Sequence, residues 1–289
     1  MIKCNLCGSE RIKVFCDCKD FVLLKCKDCN LLFKKQEGYE DKFYSKDYFE
    51  DVHKNFFKYC RKDYERYIKE SEKLRMFLKT LVALKKLKNN GKLLDIGCAT
   101  GVFLDMAKKK GYDVLGVDVS NYACDYASEN FKVKTKCGEL EKLKFKEKSF
   151  DVITMWDVLK HTKDPKSFLM EANKLLKNDG ILFVFTINDA CLMSWIAKSI
   201  YYLSFKKIKV FFKWIYPIHH NYHFSEKNLD KYLELTGFEA LSKEKSEMPV
   251  ENIEKGFLFK TLARIVYFFS NLTNTQYEIK IFAKKVRTV

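Results

Sequence analysis

Proline is scarce in this chain, three in 289 residues, so few breakers mark domain boundaries and no proline-rich linker divides it. Arginine is scarce too: six of the 54 basic residues are arginine and the rest are lysine. The bidentate guanidinium fork is what best reads phosphates and guanines. Its shortage argues against a dedicated nucleic-acid surface, even though the formal charge of +16 raises that question. No run of 18 apolar residues is free of charge, and no initial segment joins a basic stretch to an apolar one and a small-residue cleavage site. The expectation is therefore a cytoplasmic protein with neither a membrane-spanning helix nor a secretory leader. Internal repeats and low-complexity tracts are missing as well.

What the chain does have is apolar mass and cysteine. A hydrophobic share of 47% supports a real core, and the length accommodates one substantial α/β domain with a small appendage. Eleven cysteines, an odd number with no leader, read as reduced thiols, some of them metal ligands. Cys4-x-x-Cys7 and Cys26-x-x-Cys29 are separated by eighteen residues, the spacing of a tetrahedral structural zinc site with four thiolates and no open position. Cys16 and Cys18 fit such a site less well and read as free thiols. Residues 1–35 are thus expected to form a zinc ribbon, because a module with so little apolar mass needs a metal to hold it.

An aromatic connector with Tyr39, Phe43, Tyr44, Tyr48 and Phe49 opens the next segment, 36–90. Its second part reads as helix: Tyr64, Tyr67, Ile68, Leu74, Phe77, Leu78, Leu81 and Leu84 recur at spacings of three and four, and Asn89-Asn90-Gly91 supplies a stop. From residue 91 to 289, short apolar strands alternate with amphipathic helices, the pattern of parallel β-α-β units. Strands are expected at Leu93 to Ile96, Asp113 to Val117, Val133 to Lys136, Phe150 to Met155 and Ile181 to Thr186, with two late ones near Phe238 to Leu241 and Tyr277 to Ala283. A helix should run from a Ser225 cap to Gly237.

The most informative stretch is Leu94-Asp95-Ile96-Gly97-Cys98-Ala99-Thr100-Gly101, a buried strand passing through a glycine-bearing turn into a helix. A dinucleotide site would want G-x-G-x-x-G to seat a pyrophosphate on the helix N-terminus. This loop instead has G-x-x-x-G with an acid two residues ahead, which disfavours diphosphate and offers a carboxylate to a cation. D-I-G-C-A-T-G resembles motif I of the class I S-adenosylmethionine-dependent methyltransferases. The resemblance extends over roughly Lys92 to Asn188. Asp118-Val119 ends the second strand, where the family places an acid for the ribose hydroxyls. Gly138-Glu139-Leu140 is similar to the Gly-Asp-x segment that holds adenine, with Glu139 in place of Asp. Ser149 to His161 resembles the S-F-D-x-V-x-x-x-x-V-L-E-H signature, with Lys160 in place of Glu and Trp156 at the strand tip. Leu175 to Leu182 resembles the turn before the fifth strand.

The resemblance implies a Rossmann-like, mostly parallel seven-stranded sheet flanked by helices, behind the zinc ribbon. It also implies S-adenosyl-L-methionine as cofactor, bound by Asp95, Gly97, Cys98, Ala99, Thr100, Gly101, Asp118, Val119, Gly138, Glu139, Leu140 and Trp156, with Zn2+ structural at Cys4, Cys7, Cys26 and Cys29.

Hydroxyl acceptors must lose a proton on methylation, which makes histidine the natural base. His161 follows the fourth strand. His220 and His223 lie in Pro217 to Ser225, similar to an H-x-x-x-x-F-S segment of relatives. These three are the candidate catalytic residues. The insertion at 190–224 carries Trp195, Tyr201, Tyr202, Phe205, Phe211, Phe212 and Trp214 among lysines. It reads as a lid, with contact to a membrane surface or lipid-linked acceptor and a dimer interface as the other readings, and Phe257 to Phe269 invites the same three.

The function expected is O-methylation of a small metabolite, sugar or glycan, with nucleic acid disfavoured as a partner. The alternatives are an RNA or protein methyltransferase and a non-catalytic zinc-ribbon adaptor. No sequence feature assigns an oligomeric state.

Overall fold

The computed structural model describes residues 2–35, 71–250 and 256–289. The aromatic connector and the helical positions Tyr64, Tyr67 and Ile68 lie outside the described residues. Two compact units are present. One draws on 2–35, 157–170, 184–250 and 256–283, and the other on 71–156, 171–183 and 284–289.

In the first unit, β1 (Ile12–Asp17), β2 (Val22–Cys26) and β3 (Leu32–Lys34) form an antiparallel meander. Its inward residues Leu23, Leu24, Leu32 and Phe33 are buried. A shift in register between Val14 and Cys16 bends β1, as bulges do.

The second unit begins with α1 (Glu72–Leu87), capped by the Ser71 hydroxyl and burying Leu74, Phe77, Leu81 and Leu84 on one face. That is the periodicity of the sequence, and the helix stops at Lys88, just before the expected asparagines. There follow β4 (Gly91–Ile96), α2 (Val102–Lys109), β5 (Tyr112–Asp118), α3 (Asn121–Phe131), β6 (Lys134–Cys137) and β7 (Phe150–Trp156). Strand β4 pairs in parallel with both β5 and β7, and β5 with β6. Next come α4 (Pro165–Leu175) and β8 (Leu176–Ile187). Asp151 holds the foot of β7 in place: its carboxylate accepts from the Lys92 N–H at 2.9 Å and pairs with Lys177 at 2.8 Å.

The remaining elements are α5 (Leu192–Leu203), α6 (Val210–Ile215), β9 (Tyr222–His223), α7 (Glu226–Leu235), β10 (Phe238–Ser246), α8 (Phe257–Thr273) and β11 (Glu278–Lys285). Ser225 caps α7 as expected, and a capping box with Asn228 reinforces it. The large sheet has the order β10-β11-β8-β7-β4-β5-β6, the expected seven-stranded, mostly parallel Rossmann-like architecture. Strands succeed one another outward from β4 in one direction through β5 and β6, and in the other from β7. The switch point between β4 and β7 is where open α/β sheets bind ligands at their carboxyl ends.

The four-stranded sheet has the order β1-β2-β3-β9. Its last strand was not anticipated: Leu32 pairs with His223 and Phe33 with Tyr222, so the histidine segment extends the cysteine-bearing meander.

Candidate functional site

At the tip of β4, Asp95 is 1% exposed and its Cα partner across the switch point is Thr154 on β7, whose hydroxyl donates to Asp95 Oδ1 at 2.6 Å. Burial pushes the Asp95 carboxyl up to about 8; the Thr154 hydrogen bond opposes this, and the nearby Asp118 carboxylate adds to it. A carboxylate this desolvated calls for a cation. The loop that follows turns through left-handed backbone at Gly97 (φ 72°), Ala99 (φ 47°) and Gly101 (φ 82°), and the Gly97 and Cys98 N–H groups donate to Val117 O. Cys98 sends its thiol inward against Gly116, where a Cβ would lie 2.6 Å from the sulfur. Thr100 is buried beside it. At Gly101 the missing Cβ has a packing reason: it would meet Ala127 Cβ of α3 at 2.5 Å.

Asp118, at the tip of β5, accepts from the Ala99 N–H at 2.9 Å through Oδ2 and from the Ser120 N–H at 3.0 Å through Oδ1. Desolvation raises its pKa, while donation from Ser120, Ala99 and Val119 opposes the rise. Each oxygen keeps a lone pair beyond these bonds. Val119 is exposed next to it. Beyond β6, Gly138 (φ 140°) donates its N–H to Asp118 O. Glu139 follows and pairs with Lys142 at 3.1 Å, while Leu140 is buried. Trp156 packs edge-on against Phe77 and beside Phe183, each with ring centroids 4.6 Å away. The tips of β4, β5 and β6 thus gather two buried acids and a bent glycine backbone.

In the first unit, the structure unites His161 with the distant histidine segment. Asn221 does this: its N–H donates to Lys160 O at 2.8 Å and its Nδ2 to His161 O at 2.7 Å. His161 Nδ1 donates to His219 O at 2.9 Å, and its ring lies 5.0 Å from that of His220, which lies 5.7 Å from that of His223. A small cavity here is lined by Lys160, Thr186, Asp189, Tyr216, His220 and His223, among others. Three buried polar atoms on its wall have no hydrogen-bond partner: His220 Nδ1, His223 Nε2 and Thr186 Oγ1. Each such atom costs about 1–3 kcal/mol. Buried Lys160 pairs with Asp157 at 2.6 Å. Asp189 accepts from the Tyr216 hydroxyl at 2.6 Å and pairs with Lys198 at 3.0 Å.

Burial, then the Lys160 charge, drives His161 down to about 3. Burial drives His223 to about 3, partly offset by Asp189, and pushes His220 well below its ordinary value, with Lys160 adding to the effect. All three are therefore neutral at physiological pH. Their ring protons should show no titration in NMR between pH 5 and 8, and a midpoint near 6.5 in His220 or His223 would contradict the burial described. The sign of the linkage follows. For His161 and His223, between the folded values near 3 and the unfolded value near ~6.5, the unfolded chain binds more protons, so stability is fully present above ~6.5 and is lost as pH falls.

The four sulfurs of Cys4, Cys7, Cys26 and Cys29 lie within 4.8 Å of one another, with Cys4 to Cys29 at 3.5 Å and Cys7 to Cys26 at 3.6 Å. A tetrahedron of thiolates around zinc needs roughly 3.8 Å between sulfurs, so the cluster fits a zinc ribbon. Cys16 and Cys18 stand apart from it, buried in an apolar cluster with Tyr201 and Phe212. Polar ties reach out from the knuckles. Asn5 Nδ2 donates to Asp164 at 2.8 Å, Tyr232 donates to Asn5 Oδ1 at 2.9 Å, and Asn228 Nδ2 donates to Cys29 O at 2.9 Å.

Residues 64–243, more than half of the chain, match the family model described as a methyltransferase domain. The chain belongs to that family. Among curated relatives, it is 38% identical over 128 residues to a ubiquinone biosynthesis O-methyltransferase of Pelagibacter ubique, covering 43% of this chain and 52% of that one. It is also 29% identical over 185 residues to an uncharacterized protein of Methanocaldococcus jannaschii, covering 64% and 67%. The chain thus spans about half the length of the ubiquinone relative.

Among solved structures, the YcgJ protein of Bacillus subtilis has a TM-score of 0.52 at 17% identity, over 74% of this methyltransferase and 99% of that chain. A SAM-dependent methyltransferase of Methanosarcina mazei has a TM-score of 0.51 at 20% identity, over 71% and 97%. At these identities the two share its fold.

Proposed function

We propose that this methyltransferase transfers a methyl group to a hydroxyl oxygen of a small metabolite, sugar or glycan. The observation that carries the reading is the cluster of three unpartnered buried polar atoms on Thr186, His220 and His223, the two histidines being neutral. Those are groups that can hydrogen-bond a hydroxyl and take its proton. The ubiquinone relative's name, an O-methyltransferase, supports the same atom.

S-adenosylmethionine supplies an electrophilic methyl group on a sulfonium. We assign its binding to the strand tips. Asp118 accepts the ribose hydroxyls with the lone pairs its backbone donors leave over, Asp95 meets the positive charge of the cofactor, and Gly138 to Leu140 face adenine. Cys98, Ala99, Thr100, Gly101, Val119 and Trp156 complete that wall. Residues 1–35 are a structural zinc ribbon, and 190–224 an insertion in the domain from 91 to 289. The first requirement on the acceptor side is a neutral base, which His161, His220 and His223 all satisfy. His223 is favoured because Asp189 opposes its desolvation, whereas the charge that acts most on His220 is Lys160, which lowers it further. A carboxylate is what a forming imidazolium needs.

Two outcomes follow. Asp95 must ionise to hold a cation, so cofactor affinity should rise up to about tenfold per unit from pH 6 to 8, with proton release seen as a buffer-dependent heat in calorimetry. A flat affinity would remove Asp95 from the site. His223→Asn should slow turnover about 10²–10⁴-fold and leave cofactor affinity intact, and unchanged turnover in His161→Asn, His220→Asn and His223→Asn alike would discard the base. The acceptor itself is found by feeding labelled methionine to cells with and without the gene and identifying the labelled compound that disappears. A missing label on carbon or nitrogen would refute oxygen as the nucleophile.

A further inference from the structure

Helix α8 is apolar on almost every side, yet among the described residues only one narrow stripe of it is buried. Ala263, Tyr267 and Ser270 are buried, spaced four and three apart, and the first two pack with Met193 of α5. The rest of the helix turns Phe257, Leu262, Ile265, Phe268, Phe269 and Leu272 to solvent, with Phe257 82% exposed. The neighbouring α5–α6 segment does the same with Trp195, Leu203, Phe205 and Trp214, and Phe205 is 87% exposed. The two segments are adjacent, since the Leu192 N–H at the start of α5 donates to Thr275 O just past α8. Monomeric proteins rarely leave so much large apolar surface uncovered.

Charge decides among the occupants. From Cys191 to Ile218 there are five lysines and no acid, and from Phe257 to Asn274 there are Lys260 and Arg264 and again no acid. Two of these cations already have acidic partners, Lys198 with Asp189 and Lys213 with Asp20, but Lys206, Lys207, Lys260 and Arg264 would still bring like charges together in a second copy, in a chain already at +16. Among the described residues no helix is long and apolar enough to cross a membrane. Exposed apolar and aromatic side chains interleaved with basic ones are the chemistry of an interfacial helix on anionic lipid.

We propose that α8, with the α5–α6 segment, is a docking surface for an anionic bilayer, lying in the headgroup layer without spanning it. This goes beyond the methyl-transfer reading and does not depend on it.

The test is co-sedimentation of the full chain with vesicles of phosphatidylcholine and phosphatidylglycerol at three to one, and with phosphatidylcholine alone. Binding to the anionic vesicles is expected, at least about tenfold weaker without the anionic lipid or at high salt. Trp195 and Trp214 should be quenched by brominated lipid. The double variant Phe268→Glu/Leu272→Glu should weaken binding a further tenfold or more, with cofactor affinity unchanged. Absence of sedimentation on either vesicle would overturn the proposal, whether the variants fold or not. So would a concentration-dependent dimer that the variant makes monomeric, which would assign the face to a second copy. Loss of thermal stability in the variant together with no vesicle binding would assign it to another segment of the same chain.

Discussion

Replacing Cys26 with serine should strip zinc from the protein and cost most of its turnover, about 100-fold or more, while cofactor affinity changes by no more than a few-fold. The ribbon's apolar residues Phe15, Phe21, Leu23 and Leu32 share their core with α5 and α6, and a four-thiolate zinc supplies about 10–16 kcal/mol of apparent folding free energy. Two consequences follow from the strand order. β3 carries the register that seats β9, with Leu32 opposite His223, and the second knuckle carries Cys29 O, which receives the Asn228 amide at the start of α7. Releasing the metal therefore frees the strand that holds His223. The cofactor loop and its acids belong to the other unit and do not share those bonds. Metal analysis should find one zinc per chain in the wild type and none in Cys26→Ser. A wild-type protein without zinc, or a zinc-free variant with full turnover, would show that the ribbon does not position the histidines.

Asp118→Ala should weaken S-adenosylmethionine binding at least about 100-fold, equivalent to roughly 2.7 kcal/mol. Hydrogen bonds to a charged group contribute about 1.5–3 kcal/mol each, and the proposed role gives this carboxylate two ribose hydroxyls. The substitution also orphans the Ala99 and Ser120 N–H groups that Asp118 now satisfies, so the loop loses its shape as well as its ligand contact. Asp118→Asn keeps one carbonyl oxygen in place and should fall between the two. Calorimetric titration of both variants checks the order, and an Ala variant that binds as tightly as wild type would remove Asp118 from the cofactor site.

Asp95 shows how the same arrangement trades stability for binding. Its folded pKa, about 8, lies above the ordinary carboxylate value near ~3.9. The stability it contributes is fully present below ~3.9 and is lost as pH rises through about 8. A bound cation reverses that loss by stabilising the ionised form.

Much of the fold was legible because local signals carried it. Alternation of apolar and polar residues placed β4, β5, β6 and β7 to within about two residues, and the 3.6-residue period placed α1. The errors fall where pattern is weak. β8 starts at Leu176, five residues before the expected Ile181, because Lys177-Asn178-Asp179-Gly180 reads as a turn although it is paired as strand. β9 is two residues long, too short for any periodicity, and its partner β3 lies far away in sequence.

The strand-tip candidates came from the resemblance of D-I-G-C-A-T-G and the motifs after it, and the structure places Asp95 and Asp118 at the ends of β4 and β5. The joining of His161 to His219, His220 and His223 was not readable, because it depends on Asn221, a buried amide whose two partners are backbone atoms about sixty residues away. The departure at Lys160 was visible in the sequence. Its consequence, a cation that helps keep the histidines neutral, required the geometry.

The central claim is that the tips of β4, β5 and β6 hold a sulfonium nucleoside. The most direct measurement is isothermal titration of the purified full-length protein with S-adenosylmethionine and with its demethylated product near pH 8. One molecule bound per chain, with Asp95→Asn and Asp118→Ala both strongly weakened, is the predicted result. Absence of binding heat and of any thermal shift with both ligands would contradict the account.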